Sequence, residues 1–419
     1  MPCNAADMHR VRTSIQYFKD LGWEYEIVAV HPKFCQINKD DLLNLSIPSN
    51  AIIHHVKALN LKYTRHIGLG SLALRSFLFY KKTVDHLLKT KQYQLIYFST
   101  TQFPVLLLGP YWKKKFAIPF AVDIQDPWHT EYYEDKPKNE RPKKYWFSYF
   151  FNKLSERITM KNVDGLVGVS QSYITTLIER YPRLKHIPKS TITFGAFKLD
   201  FDLAFTYSKL LKVPFQINAD TINLVYIGRG GHDMRLALNI LFEAFNAGLA
   251  SSNSAFKKLR LHFIGTSYAE KGTGIPTIAP IAKEFGISDY VIEQTDRISF
   301  YDNIFSLSSA DALMIIGSDD PQYTASKIYP YILAEKPLLA ILHSESSAFE
   351  IIKDTNAGMA LPLLSGESVK LAYSFLSAIA KKTHFKPKTN WELFEQYTAA
   401  NMTKKQCEIF DLVIANHTK

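Results

Sequence analysis

Two short stretches carry residues whose types and spacing suit the handling of a diphosphate. Leu224–Met234 reads Leu-Val-Tyr-Ile-Gly-Arg-Gly-Gly-His-Asp-Met: a buried strand, a glycine turn bearing one arginine, then a helix start. Free backbone N–H groups at such a turn and the positive end of the following helix both favour an anion. Gly228 opens the turn, and Arg229 can fork two hydrogen bonds onto a phosphate. Further along, Thr324-Ala-Ser-Lys-Ile-Tyr-Pro-Tyr offers a second helix start. There Ser326 can donate a hydroxyl and Lys327 can add a point charge. Gly-Arg-Gly-Gly is not the full dinucleotide fingerprint, so a plain strand-to-helix turn with surface cations is the competing reading.

Two more polar groups fall between these turns. Val291–Ile298 ends a strand and carries Glu293 and Arg297, where backbone groups could read a base edge. Gly317-Ser-Asp-Asp-Pro-Gln-Tyr is a polar loop whose Asp319, Asp320 and Gln322 suit sugar hydroxyls, although Asp-Asp-Pro is also turn chemistry. Toward the N-terminus, Asp7, His9, Arg10 and Arg12 cluster at the start of the first helix, with His9 equally able to be a helix-face residue. Asp123-Ile-Gln-Asp-Pro-Trp-His follows a strand and places Asp123, Asp126 and Trp128 at a cleft edge. Asp126 is the best-placed carboxylate to act on an acceptor hydroxyl; a turn cap before Pro127 is its plainer role.

The elements that must position these residues alternate. Glu24–Val30, Ala51–Val56, Leu95–Ser99, Pro119–Ile124, Gly165–Ser170 and Thr191–Phe194 read as strands, with helices over Leu72–Thr90, Phe103–Phe116 and Gln171–Tyr181. The pattern weakens over Asp200–Asp220, read as a linker. A second series follows: Ile222–Ile227, Leu259–Ile264, Tyr290–Glu293, Ala312–Ile316, Leu338–Leu342 and Met359–Leu361. These strands are apolar on both faces, as a covered parallel sheet requires. Trp391–Ala415 is expected to be one long final helix. The fold class is therefore α/β, with two doubly wound domains facing a cleft. Expected boundaries are 1–205, 220–385 and a C-terminal helix, 386–419, returning to the first domain. The first helix begins without the strand that should deliver it, so the N-terminal sheet is expected to lack its first strand.

Composition narrows the partners. The chain has 419 residues, 47% hydrophobic and 21% charged, with net charge +11. No apolar run approaches the ~20 residues of a membrane span. Cys3, Cys35 and Cys407 are far apart without metal-type spacing, so a reducing cytoplasm is expected, with no metal or cofactor. A basic balance suits a polyanionic partner. Zinc-finger spacing, RNP-type sequence and basic-region heptads are all missing, which argues against nucleic acid. Lys143–Ile158 is aromatic and basic; as a helix it could lie on an anionic membrane face, joined by Lys113–Lys115 and the basic ends of the Leu72–Lys91 helix. The alternative is a core helix with a solvated basic flank.

The order of these motifs resembles the GT-B glycosyltransferases, particularly the family-4-like enzymes of bacterial surface polysaccharide synthesis. The resemblance rests on Asn4-Ala-Ala-Asp-Met-His-Arg-Val-Arg, Ala121-Val-Asp-Ile-Gln-Asp-Pro-Trp, Val163-Asp-Gly-Leu-Val-Gly-Val-Ser-Gln, Val225-Tyr-Ile-Gly-Arg and Ala325-Ser-Lys-Ile-Tyr-Pro-Tyr-Ile-Leu-Ala-Glu-Lys-Pro-Leu-Leu-Ala. It implies two Rossmann-like domains and transfer of a sugar from a nucleotide donor to a glycan or lipid-linked acceptor. It further implies a metal-independent, retaining reaction in which Arg229 and Lys327 neutralise the leaving diphosphate. Asp126, Arg229 and Lys327 are then the catalytic candidates. Gly228, Glu293, Arg297, Asp319, Gln322 and Ser326 join Arg229 and Lys327 on the donor side, and Asp7, His9, Arg10 and Trp128 lie on the acceptor side. Relatives carry two glutamates eight positions apart; here those positions are Gln322 and Pro330. A nucleotide-sugar 2-epimerase and an inactive binding protein on the same fold are the alternatives. The expected location is the cytoplasm, peripheral to the inner face of the plasma membrane.

Overall fold

The computed structural model describes residues 4–35, 40–64, 70–129, 145–251, 254–321, 328–382 and 386–418. The chain divides into two compact units, Met1–Gly195 with Ala399–Lys419, and Ala196–Thr398.

The first unit begins with helix α1 (Ala6–Ser14), parallel strands β1 (Ile27–Val30) and β2 (Ile53–Val56), and helices α2 (Leu61–Thr64) and α3 (Leu72–Thr90). Ser71 caps α3 by accepting from the Leu74 amide. Then come β3 (Ile96–Ser99), α4 (Leu108–Phe116), β4 (Phe120–Ile124), α5 (Tyr145–Met160), β5 (Gly165–Gly168), α6 (Gln171–Arg180) and β6 (Lys189–Thr191). The expected helix over Phe103–Phe116 starts as a tighter 3-10 turn, Phe103–Leu107, and the last strand lies earlier than Thr191–Phe194. β4 and β5 are buried along their whole length, which is why they read as continuous apolar runs.

The strands of this unit form two separate parallel sheets, β1–β2 and β3–β4–β5–β6. All four residues of β1 and of β3 border a cavity of about 300 Å³. Met8 and Val11 of α1 and Tyr80 and Val84 of α3 also line it. Since β1 pairs with β2 and β3 with β4, their other edges face this space.

The second unit opens with α7 (Leu199–Thr206), where a linker was expected. Asp200 accepts a hydrogen bond from buried Tyr301, which fixes this helix to its own unit. The elements continue as β7 (Ile222–Ile227), α8 (Arg235–Ala250), β8 (Leu259–Ile264), α9 (Ala279–Glu284), β9 (Val291–Gln294), α10 (Phe300–Ser309), β10 (Ala312–Ile316), α11 (Ile328–Leu333), β11 (Leu338–Leu342), α12 (Ser347–Asp354), β12 (Met359–Pro362), α13 (Ser368–Ala380) and α14 (Trp391–Phe394). Six parallel strands take the order β12-β11-β10-β7-β8-β9. Along β7 the side chains alternate between two cores. Ile222, Leu224 and Tyr226 pack with α8 and α13, whereas Val225 and Ile227 pack with the face covered by α11 and α12. This two-sided burial makes the unit doubly wound.

The expected single C-terminal helix is broken. After α14 a 3-10 turn ends at Thr398, which is extended, and α15 (Ala399–His417) belongs to the first unit. There Cys407 and Phe410 join Ile15 and Phe18 in one apolar cluster.

Candidate functional site

The sheet of the second unit reverses its winding at β7: β8 and β9 lie on one side, β10 to β12 on the other. Beyond the carboxyl ends of such neighbouring strands a crevice opens, where ligands of doubly wound sheets collect. β7 delivers Gly228–Gly231 to this point and β10 delivers Gly317–Asp320.

The β7 turn is tightly specified. The Gly228 amide donates to Ile264 O (3.0 Å), the Gly230 amide to Thr266 O (2.7 Å), and the Tyr226 hydroxyl to Arg229 O (2.9 Å). A side chain at Gly228 would meet the Tyr226 hydroxyl at 2.3 Å, and one at Gly230 would meet Thr277 Oγ1 at 2.3 Å. Glycine is needed here for close approach rather than for unusual dihedrals. The amides of Gly231 and His232 donate to no group among the described residues, which leaves two N–H groups for an anion.

Arg229 reaches both carboxylate oxygens of Asp233; Nη1 to Oδ1 is 2.9 Å. Arg229 foremost, with Ser318 assisting, pulls the Asp233 carboxyl down to about 2. The loop from β10 is tied to the same residue, because the Asp319 amide donates to Asp233 O (2.9 Å) and Ser318 Oγ accepts from the Asp320 amide (3.1 Å). Arg229, Asp233, buried Ser318 and exposed Asp319 and Asp320 thus form one polar cluster at the winding reversal. Asp233 and Ser318 were not anticipated; their only sequence signal was proximity to candidate residues.

Other expected residues have different employment. Glu293 accepts from Thr266 Oγ1 (2.7 Å) and from the amides of Thr277 (3.1 Å), Ile278 (3.0 Å) and Ala279 (2.7 Å). It caps the start of α9 instead of facing a base. Arg297 is exposed and lies over the Tyr268 ring, 5.0 Å from its centre. Gln322, Ser326 and Lys327 lie outside the described residues.

In the first unit, Arg10 is a buried anchor and not a free acceptor-side cation. Its Nε donates to Asp123 (2.9 Å), and its Nη1 and Nη2 donate to the carbonyls of Thr193 (2.8 Å) and Ile192 (2.5 Å). It joins α1 to the ends of β4 and β6 and stacks on Phe194. His9 has both ring nitrogens engaged. Arg12 Nε donates to Nδ1 (2.9 Å), so Nε2 carries the proton and donates to Asn4 Oδ1 (2.8 Å). The surrounding protein, and then the Arg12 charge, push its pKa down to about 3. With the Nδ1 lone pair taken by Arg12 and the proton on Nε2, this imidazole is a poor general base. Asp7 borders the β1/β3 cavity, and desolvation raises its carboxyl above the usual range.

Trp128 is a core residue, stacked on Phe103 at 5.4 Å, because the chain turns inward after Pro127. Asp126 stays exposed in the same loop, with partial desolvation raising its pKa. Beside it lies an unforeseen buried network: Glu156 meets His129 Nδ1 (3.1 Å), Arg180 (3.3 Å) and the Tyr181 hydroxyl (3.0 Å). Its members are spread over 129–181, too far apart for spacing to reveal.

No protein-family model and no curated protein matches the chain. Solved structures do. HepE of Anabaena, in complex with UDP and glucose, is 14% identical with a TM-score of 0.59, covering 98% of this chain and 97% of that one. Sucrose-phosphate synthase from Thermosynechococcus elongatus is 12% identical, TM-score 0.57, covering 97% and 93%. A glycosyltransferase from Rickettsia africae is 11% identical, TM-score 0.56, covering 98% and 95%. At this identity the likeness concerns architecture, and it covers both units: the chain has the fold of the GT-B glycosyltransferases.

Proposed function

We propose that this chain is a glycosyltransferase that takes its sugar from a nucleoside-diphosphate donor, with the diphosphate at the β7/β10 reversal. The observation that carries this reading is the cluster of two unengaged turn amides, the Arg229–Asp233 pair and the Ser318–Asp320 loop on that fold. Arg229 would exchange part of its pairing with Asp233 for the phosphate, and Lys327, with Ser326, would complete the charge. Asp319, Asp320 and Gln322 are the proposed contacts to donor hydroxyls, with Arg297 at the rim. Asp126, exposed in the loop after β4, is the proposed group that binds and orients the acceptor hydroxyl. The acceptor class is a glycan or lipid-linked glycan of cell-surface polysaccharide assembly, used in the cytoplasm at the inner face of the plasma membrane. The reaction is proposed to be metal-independent and retaining, the departing phosphate assisting removal of the acceptor proton.

The test is thermal shift and binding with a panel of nucleoside diphosphates and their sugars, followed by nucleotide release. UDP, GDP or ADP should stabilise the protein. Arg229→Ala should weaken that ligand by about tenfold to a hundredfold, as expected for loss of a charged hydrogen bond, and Lys327→Ala should act in the same direction. No stabilisation by any of the three ends the donor-site reading. A second reading, a binding protein without turnover, is favoured by Gln322 and Pro330 standing where relatives carry glutamates. Stabilisation by a nucleotide sugar without nucleotide release, lipid acceptors included, would establish it.

A further inference from the structure

Helix α5 carries an exposed apolar row. Trp146, Phe150, Leu154 and Ile158 are 45, 61, 58 and 40% exposed, at successive intervals of four. Trp146 and Phe150 stack on each other at 5.9 Å along the surface. A second row runs parallel to it: Lys153, Arg157 and Lys161 are all exposed, again four apart. Helix geometry puts this basic row about 60° round the axis from the apolar one. The helix holds one acid, Glu156, which is 1% exposed and turned inward to His129 and Arg180. The helix therefore shows solvent only apolar, uncharged polar and cationic groups.

We propose that this face of α5 docks the protein on an anionic lipid bilayer, the apolar row at the headgroup–acyl boundary and the basic row against lipid phosphates. Charge selects this occupant over a second copy. An antiparallel isologous contact would set like basic rows together, and a parallel one would leave both rows at its flanks with no acid of the same face to meet them, on a chain of net charge +11. A hydrophobic row of this size on a surface marks an interaction site. No helix among the described residues is long and apolar enough to cross a membrane, so the contact is peripheral. Lys113 and Lys115, expected on the same face, are held in ion pairs with Asp164 and Asp85 and add less to it. The inference deepens the membrane part of the proposed function and is tested apart from it: vesicle binding can fail while nucleotide binding stands, and the reverse.

The experiment is co-sedimentation of the full chain with equimolar phosphatidylglycerol–phosphatidylcholine vesicles and with phosphatidylcholine alone. Binding is expected to the anionic vesicles only and to fall with added salt. Phe150→Ser with Leu154→Ser should abolish it. Lys153→Gln with Arg157→Gln should weaken it by roughly fivefold per cation removed. Phe205→Ser, at a site 82% exposed in the other unit, should leave it unchanged. Circular dichroism and an unchanged thermal midpoint without ligand check that each variant is folded. Equal binding to neutral vesicles, or indifference of binding to the Phe150 and Leu154 changes, would overturn the proposal. Concentration-dependent self-association of the wild type that the same two changes remove would assign the face to a second copy instead.

Discussion

His262 shows how one buried side chain sets the acid tolerance of the second unit. Its Nε2 meets Asn223 Oδ1 at 2.9 Å, and Asn223 donates through its amide to Gln216 O, so the imidazole must carry its proton on Nε2. Burial, helped by the Arg260 charge, lowers its pKa to about 4. An unfolded histidine takes up its proton near 6.5. Above that pH both states are neutral. Between 6.5 and 4 only the unfolded state is protonated, and stability falls by about 1.4 kcal/mol per pH unit. Denaturant unfolding at pH 5 should therefore give a second unit about 2 kcal/mol weaker than at pH 7. His262→Gln, which keeps a donor toward Asn223, should flatten that slope; an unchanged slope would assign the acid loss to other groups. Residue roles of this kind were the least legible part of the sequence. Arg10 and His9 looked like site residues because they are polar and close to a helix start. Arg10's partners, Asp123, Ile192 and Thr193, are brought to it by the fold, whereas His9 is held by its chain neighbours Asn4 and Arg12, whose pairing spacing alone does not disclose.

At the scale of elements, the strands of the second unit were readable because both faces are buried, so each is a bare apolar run. The ends of elements were less readable, since caps come from distant residues. Glu293 holds three amides of the α9 start from fourteen to sixteen positions away. That arrangement makes it structural. Glu293→Ala should cost about 2 kcal/mol in the unfolding of the second unit, from a lost cap and its charged hydrogen bonds. Nucleotide affinity measured on the folded variant should change little; a large loss of affinity with unchanged stability would restore the donor-binding role. The break at Thr398 escaped notice for a related reason. Helical periodicity continues on both sides of it, but α14 serves the core of one unit and α15 that of the other.

For the whole molecule, strand–helix alternation already implied two doubly wound units, and solved structures share that architecture over nearly the full chain. The strandless start of α1 already implied an incomplete sheet in the first unit, and the structure shows that sheet split. Four strands share one ladder there and two share another, with a cavity of about 300 Å³ along the facing edges. Hydrogen bonding is what makes strands of a sheet open together. Without a ladder joining β1 to β3, the segment from β1 through β2 is free to open as its own cooperative block, below the cost of unfolding the rest. Native-state hydrogen exchange should show this as two tiers in one unit. Amides of Ile27–Val30 and Ile53–Val56 should share a low opening free energy and a small denaturant dependence, while those of Phe120–Ile124 and Gly165–Gly168 exchange only with global unfolding of the unit. A single common tier would mean that α1 and α3, which both line the cavity, couple the two ladders through packing alone.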